Sequence, residues 1–183
     1  MIAIPAHRFW LSLAVLLVTT TSVPAASLPK TAVDRMQTIA GRMVINDRDL
    51  KRVYQDMHGY ARFTPQGTDR QLDYIQKTYL QIDLARNQGY YLWRLLSIYD
   101  YLLESRKGDF LTLYGEELRR ARVDCRQSIR LIELYAAFID KETIRRSLKE
   151  AVGIIEANIY MYEEIETLVA PYLNEPPYPR RLQ

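Results

Sequence analysis

The chain is poor in the residues that break helices and in those that hold metals. Its eight prolines all lie at or before residue 65 or at or after residue 171. Residues 66 to 170 therefore carry no ring to remove a backbone donor, which argues for long uninterrupted helices. A single cysteine, Cys125, excludes an intrachain disulfide, so a packed core must supply the stability. Histidine occurs only twice, as His7 and His58, and neither Cys-x-x-Cys-His nor paired Glu-x-x-His is present. The spacings for covalent haem and for a di-iron carboxylate centre are thus missing. Charge of one sign is also scarce: the net charge of +3 gives no electrostatic case for a nucleic-acid partner.

Long apolar runs are absent except at the start. There, Arg8 precedes an apolar run from Phe9 to Val18, and Val23-Pro24-Ala25-Ala26 supplies small residues after it. This is the three-part pattern of a secretory signal peptide over residues 1–26, and the run is too short for a spanning helix of about 20 residues. The expected address is periplasmic or secreted. The lack of any Asn-x-Ser/Thr acceptor sits easily with a bacterial periplasm. Residues 27–173 are expected to form one domain. Residues 174–183, which hold Pro176, Pro177 and Pro179, are expected to be an extended tail.

What the chain does contain is periodicity. Breaks at Thr64-Pro65-Gln66-Gly67, Lys107-Gly108-Asp109 and Asp140-Lys141 leave four segments: 31–63, 68–106, 109–140 and 141–173. Each carries apolar residues seven apart, which lie on one helical stripe. The stripes are Met36, Met43, Leu50 and Met57; Ile75, Ile82, Gly89, Leu96 and Leu103; Leu111, Leu118, Cys125, Ile132 and Ile139; and Leu148, Ile155, Tyr162 and Val169. Four such helices joined by short turns predict an all-α fold, an up-down-up-down antiparallel four-helix bundle. The alternative is a solenoid of shorter helical hairpins, with extra breaks at Asn46-Asp47 and Asn87-Gln88-Gly89.

Antiparallel register tests candidate chemistry. A haem held by His58 and Met161 fails, because counting from the turns separates them by about 13 residues, roughly 20 Å. Met43 and Met161 come out level, but two thioethers are too few ligands for a copper site. No histidine is placed to serve Cys125 or a serine as a base, so no catalytic residues and no cofactor are expected.

Two constellations stand above this background. Asn46, Asn158, Cys125 or Ser128, and Ala85 or Gly89 fall at one mid-bundle height, where polar residues either fix register or line a small pocket. Arg122, Arg126 and Arg130, with Arg119 beside them, share one face of the third helix. Arg86, Tyr90 and Arg94 of the second lie at matching heights, so together they are a candidate basic groove. The competing arrangement pairs these arginines with the fourth helix, setting Arg126 against Glu156 and Arg119 against Glu163. Fourteen tyrosines, with Tyr74, Tyr91, Tyr101, Tyr160 and Tyr178 off the core stripes, add an interface-like composition. The resulting expectation is a non-catalytic exported bundle that binds another protein or an acidic envelope component. A small-ligand carrier or sensor using the polar layer is the alternative.

Overall fold

A computed structural model of the protein describes residues 28–65 and 71–173. The expected signal segment and tail lie outside the described residues. Helix α1 spans Lys30–Phe63, α2 Leu72–Leu96, α3 Glu104–Ala136 and α4 Glu142–Val169, with 3₁₀ turns at Tyr99–Tyr101 and Ala170–Tyr172. Each helix packs on the next, α4 closes the ring against α1, and α2 touches α4 across the diagonal. This is the expected four-helix bundle. The solenoid alternative is excluded, because α1 runs unbroken through Asn46-Asp47 and α2 through Asn87-Gln88-Gly89.

The heptad stripes form the core. Met36, Met43, Leu50 and Met57 of α1, Leu111, Leu118, Cys125 and Ile132 of α3, and Leu148, Ile155, Tyr162 and Val169 of α4 are all buried. Helix α2 contributes Ile75, Ile82, Gly89, Leu92 and Leu96. Removing such side chains from water at about 25 cal/mol per Å² is the driving term, since no disulfide contributes.

One boundary differs from the expectation. The break foreseen at Lys107-Gly108-Asp109 lies inside α3, and the chain turns instead between Ser97 and Leu103. Leu103, assigned to the core stripe of the second helix, is 74% exposed. A mid-helix glycine costs about 1 kcal/mol, but three local interactions oppose that cost. Lys107 pairs with Glu104 at 2.6 Å, Arg106 pairs with Asp109 at 3.8 Å, and Thr112 Oγ1 donates to the Gly108 carbonyl. Burial of Phe110 and Leu111 completes the balance, with Tyr99 packed against Phe110 at 5.8 Å and anchoring the turn to the core.

At the other end α1 stops at Phe63, before the expected Thr64-Pro65 break, and α4 starts at Glu142, just after the expected Asp140-Lys141 break; Gln66 and Gly67 lie outside the described residues. Gln71 clasps the α3–α4 turn, donating to Asp140 Oδ2 at 3.1 Å and accepting from the Asp140 amide at 2.7 Å. Beyond α4, Leu173 folds back so that its side chain lies 3.5 Å from where a Gly115 Cβ would stand.

Ile155 is fully buried in the centre of α4, whereas Ile45 on α1 is 55% exposed. Ile155→Ala is expected to cost about 2–5 kcal/mol and Ile45→Ala about 0.5 kcal/mol or less. Urea unfolding of the two variants measures the difference; equal losses would contradict this assignment of the core.

Candidate functional site

The structure brings Asn46, Asn158, Gly89 and Cys125 of the mid-bundle layer close to one another. Asn46 Nδ2 donates to Asn158 Oδ1 at 2.8 Å, joining α1 to α4, and Asn158 is buried. Gly89 of α2 stands across from them. A Cβ there would come within 3.2 Å of Tyr162 Oη and 3.5 Å of Asn158 Nδ2. A side chain at position 89 would press on Tyr162 Oη, which would have to give by a few tenths of an ångström, and the neighbourhood of Gly89 is filled by protein rather than left open. Cys125 is buried beside Tyr162, while Ser128 lies one turn further along α3 and donates to Gln81 Oε1 at 3.3 Å. Tyr162, which the sequence places only on the core stripe, and Gln81, which carries no sequence signal, join them.

Burial sets the ionisation of this layer. It raises the Cys125 thiol from its ordinary value near 9.0 to about 12, and the Asp124 carboxylate adds to the shift. Tyr162 is raised well above 10.0, first by burial and then by its Cys125 and Tyr114 neighbours, and burial alone raises Tyr114. Among the described residues the buried Tyr114 hydroxyl has no hydrogen-bond partner, and the Tyr162 hydroxyl has only the Cys125 thiol beside it. A protonated, enclosed thiol is a poor nucleophile. His58 stacks on Tyr54 at 5.6 Å and meets the edge of Tyr79 at 5.4 Å, toward the far end of α1 from Met161's level. Among the described residues no three His, Cys, Asp or Glu side chains converge as a metal site would need.

The seven residues of the candidate basic groove are not brought together. Three of them turn to α4: Arg119 Nε pairs with Glu166 at 2.7 Å, Arg122 with Glu166 at 3.1 Å, and Arg126 with Glu163 at 2.8 Å. Arg86 pairs with Asp83 of its own helix at 2.9 Å and reaches Asp47 of α1 at 3.6 Å. Desolvation raises the pKa of Asp47, with Arg86 opposing that shift. Tyr90 packs on Trp93 at 5.5 Å, and the Arg94 guanidinium lies 5.9 Å from the Trp93 ring centroid. Arg130 is exposed and has no ion pair among the described residues. Between α2 and α3, where the groove was expected, Gln88 bonds Asp124 at 2.9 Å.

The arginines therefore follow the competing arrangement, displaced along α4. Arg126 meets Glu163 rather than Glu156, and Arg119 meets Glu166 rather than Glu163. The cause is the tilt of every Cα–Cβ bond toward its own helix N-terminus. On antiparallel helices two long side chains lean past one another, so partners stand at higher numbers than backbone levels suggest.

Of the tyrosines set apart from the core stripes, Tyr101 and Tyr160 are exposed and Tyr91 is half-buried. Tyr74 stacks on Phe138 at 4.8 Å. Tyr178 lies outside the described residues. No family model, curated protein or solved structure matches this chain.

The chemistry of the layer sets two expected outcomes. Asn158→Leu alone, which strands Asn46, should cost about 1–3 kcal/mol, whereas Asn46→Leu with Asn158→Leu should recover most of that loss. A double-mutant cycle by chemical unfolding would show the coupling. For pH, groups that bind protons more tightly when folded stabilise fully below their unfolded pKa. Stability should therefore fall as pH rises through about 9 toward 12, as the unfolded chain alone releases the Cys125 and then the tyrosine protons. Ellman's reagent should accordingly label native Cys125 only on unfolding; rapid labelling of the native protein at about pH 8 would contradict this.

Proposed function

We propose that the protein is an exported, non-catalytic helical bundle that acts by binding another protein or an envelope component through its outer helix faces. The observation that carries this reading is where side chains remain after the core has closed. Leu80, Leu84 and Tyr90 on α2, Val123 and Leu134 on α3, and Tyr160 on α4 stay exposed. Exposed apolar and aromatic groups of this number suit contact surfaces. The export element rests on the pattern of residues 1–26. No helix among the described residues is long and apolar enough to cross a membrane.

Three features support binding over catalysis. Cys125 is held protonated inside the core, His58 is engaged by two aromatic rings, and Arg119, Arg122 and Arg126 are paired with α4 carboxylates. Of the groove residues, Tyr90, Arg94 and Arg130 are exposed without an ion pair among the described residues and are the positions from which contact is sought. We place no nucleic acid among the partners, in keeping with the small net charge.

The test is site-specific photo-crosslinking in cells. A photoreactive residue at position 90, 94 or 130 should give a discrete adduct, and the same residue at exposed Gln55 of α1 should not. Equal yield at all four positions, or none at the first three, would overturn the assignment of these faces.

A further inference from the structure

Seven-residue spacing recurs on the outside of α1, where it sorts charge instead of apolar side chains. Arg35, Arg42, Asp49 and Asp56 fall two turns apart on one stripe, the two cations first and the two acids after them. The stripe runs beside α4, since Arg35 pairs with Glu164 and Arg52 with Glu150. Arg42 and Asp56 are exposed, Asp49 is half-buried, and none of the three has an ion pair among the described residues. On the outer ridge of α4, Lys149 is likewise exposed without an ion pair among them. Two bare groups accompany these charges: Tyr160 of α4 is 71% exposed and Ile45 of α1 is 55% exposed. A Cβ at Gly153, one stripe position before Tyr160, would meet nothing within 4 Å. No contact inside the protein therefore calls for a helix-weakening glycine there.

These groups share one centre. The stripe of α1 is symmetric about the point between Ile45 and Asn46, with the sign of charge reversed from one half to the other. On α4, Lys149 with Glu164 and Gly153 with Tyr160 are both centred between Glu156 and Ala157. The two centres stand at nearly one level of the bundle, because Asn46 bonds Asn158 across the same two helices. A two-fold axis lying across the helices at that level turns the face onto itself, each helix antiparallel to its copy. Arg35 then stands level with the partner's Asp56, Arg42 with the partner's Asp49 and Lys149 with the partner's Glu164. The Tyr160 ring stands level with the partner's Gly153. The other unpaired charges are Asp34 and Arg48 on this side of α1 and Glu142, Arg145, Arg146 and Glu156 on the outer side of α4, so neither sign prevails. Of these, Arg48 and Glu156 lie nearest the axis. They occupy opposite edges of the face, where solvent and salt screen each from its own copy.

We infer that the face formed by α1 and α4 binds a second copy of this chain as an antiparallel two-fold dimer, with Arg42 paired to the partner's Asp49 and Tyr160 seated at the partner's Gly153. This goes beyond the binding reading above and concerns a face that carries none of positions 90, 94 and 130, which lie on α2 and α3. Charge complementarity selects the occupant. A polyanion or an anionic surface gains little from a face on which the signs balance, whereas a copy turned end for end meets the opposite sign at every level of the α1 stripe. A parallel copy would set arginine on arginine and aspartate on aspartate, so the same pattern fixes direction, as flanking charges do in coiled coils. Ile45 falls beside the axis, where it meets the partner's Ile45 and both leave water.

The test is sedimentation equilibrium of the purified protein, which should give twice the mass of one chain and dissociate more readily as salt rises. Arg42→Glu and Asp49→Arg should each weaken the dimer at least about tenfold, since each sets like charges together twice. Mixed in equal amounts, the two variants should form a heterodimer, because the reversed charge of each then faces an opposite charge on the other. Mixing would not cure a failure to fold. Tyr160→Ala, which leaves the charges in place, should weaken association by about tenfold. In cells, a photoreactive residue at position 160 should give an adduct at twice the mass of the chain. A monomer at every concentration, a dimer indifferent to both charge reversals, folded variants that stay apart when mixed, or a position 160 adduct with a different protein would each overturn the inference. Crosslinks from positions 90, 94 and 130 would survive that failure, since those positions do not belong to this face.

Discussion

The buried amide of Asn158 constrains the rest of the bundle. An amide taken out of water must find a partner or cost about 1–3 kcal/mol, and Asn46 Nδ2 at 2.8 Å provides one. Methionine and leucine stripes slide over one another with little penalty, because dispersion has no direction. The asparagine pair does have direction, and it favours one axial offset of α1 against α4. Close to that offset, Arg35 meets Glu164 on one side of the layer and Arg52 meets Glu150 on the other. Exposed pairs like these contribute little individually, but they agree with the register that the amides set.

The same layer holds a close approach that favours glycine. Tyr162 from α4 reaches toward α2, and its hydroxyl occupies space that a side chain at position 89 would need. A weak helix former is tolerated at Gly89 because it lets a large aromatic ring fill the centre. Cys125 fills the remaining space as a small hydrophobe, and the enclosure that raises its pKa also shields the thiol from oxidants.

The arginines divide according to which carboxylates they can reach. Arg119, Arg122 and Arg126 form an ion-paired seam with Glu163 and Glu166, so much of the positive charge on the third helix is balanced within the protein. At the end where the α3–α4 turn meets α1, exposed Phe63 and Phe138 stand among cations and carboxylates in about equal number.

The sequence was sufficient for helix number, helix direction and the identity of the core, because seven-residue spacing and a proline-free interior are properties of the local chain. It also brought Asn46, Asn158 and Gly89 to one height, since backbone level follows from counting residues away from a turn. It misplaced the α2–α3 turn because a single glycine looks like a break when the contacts that hold Gly108 in a helix are not visible. Tertiary structure alone decided which neighbour each arginine chose, since a long side chain leans toward its helix N-terminus and reaches whichever carboxylate lies there. It also decided that Phe63 and Phe138, 75 positions apart, share one end with Arg62, Arg145 and Arg146, because only packing four rods side by side brings their ends together.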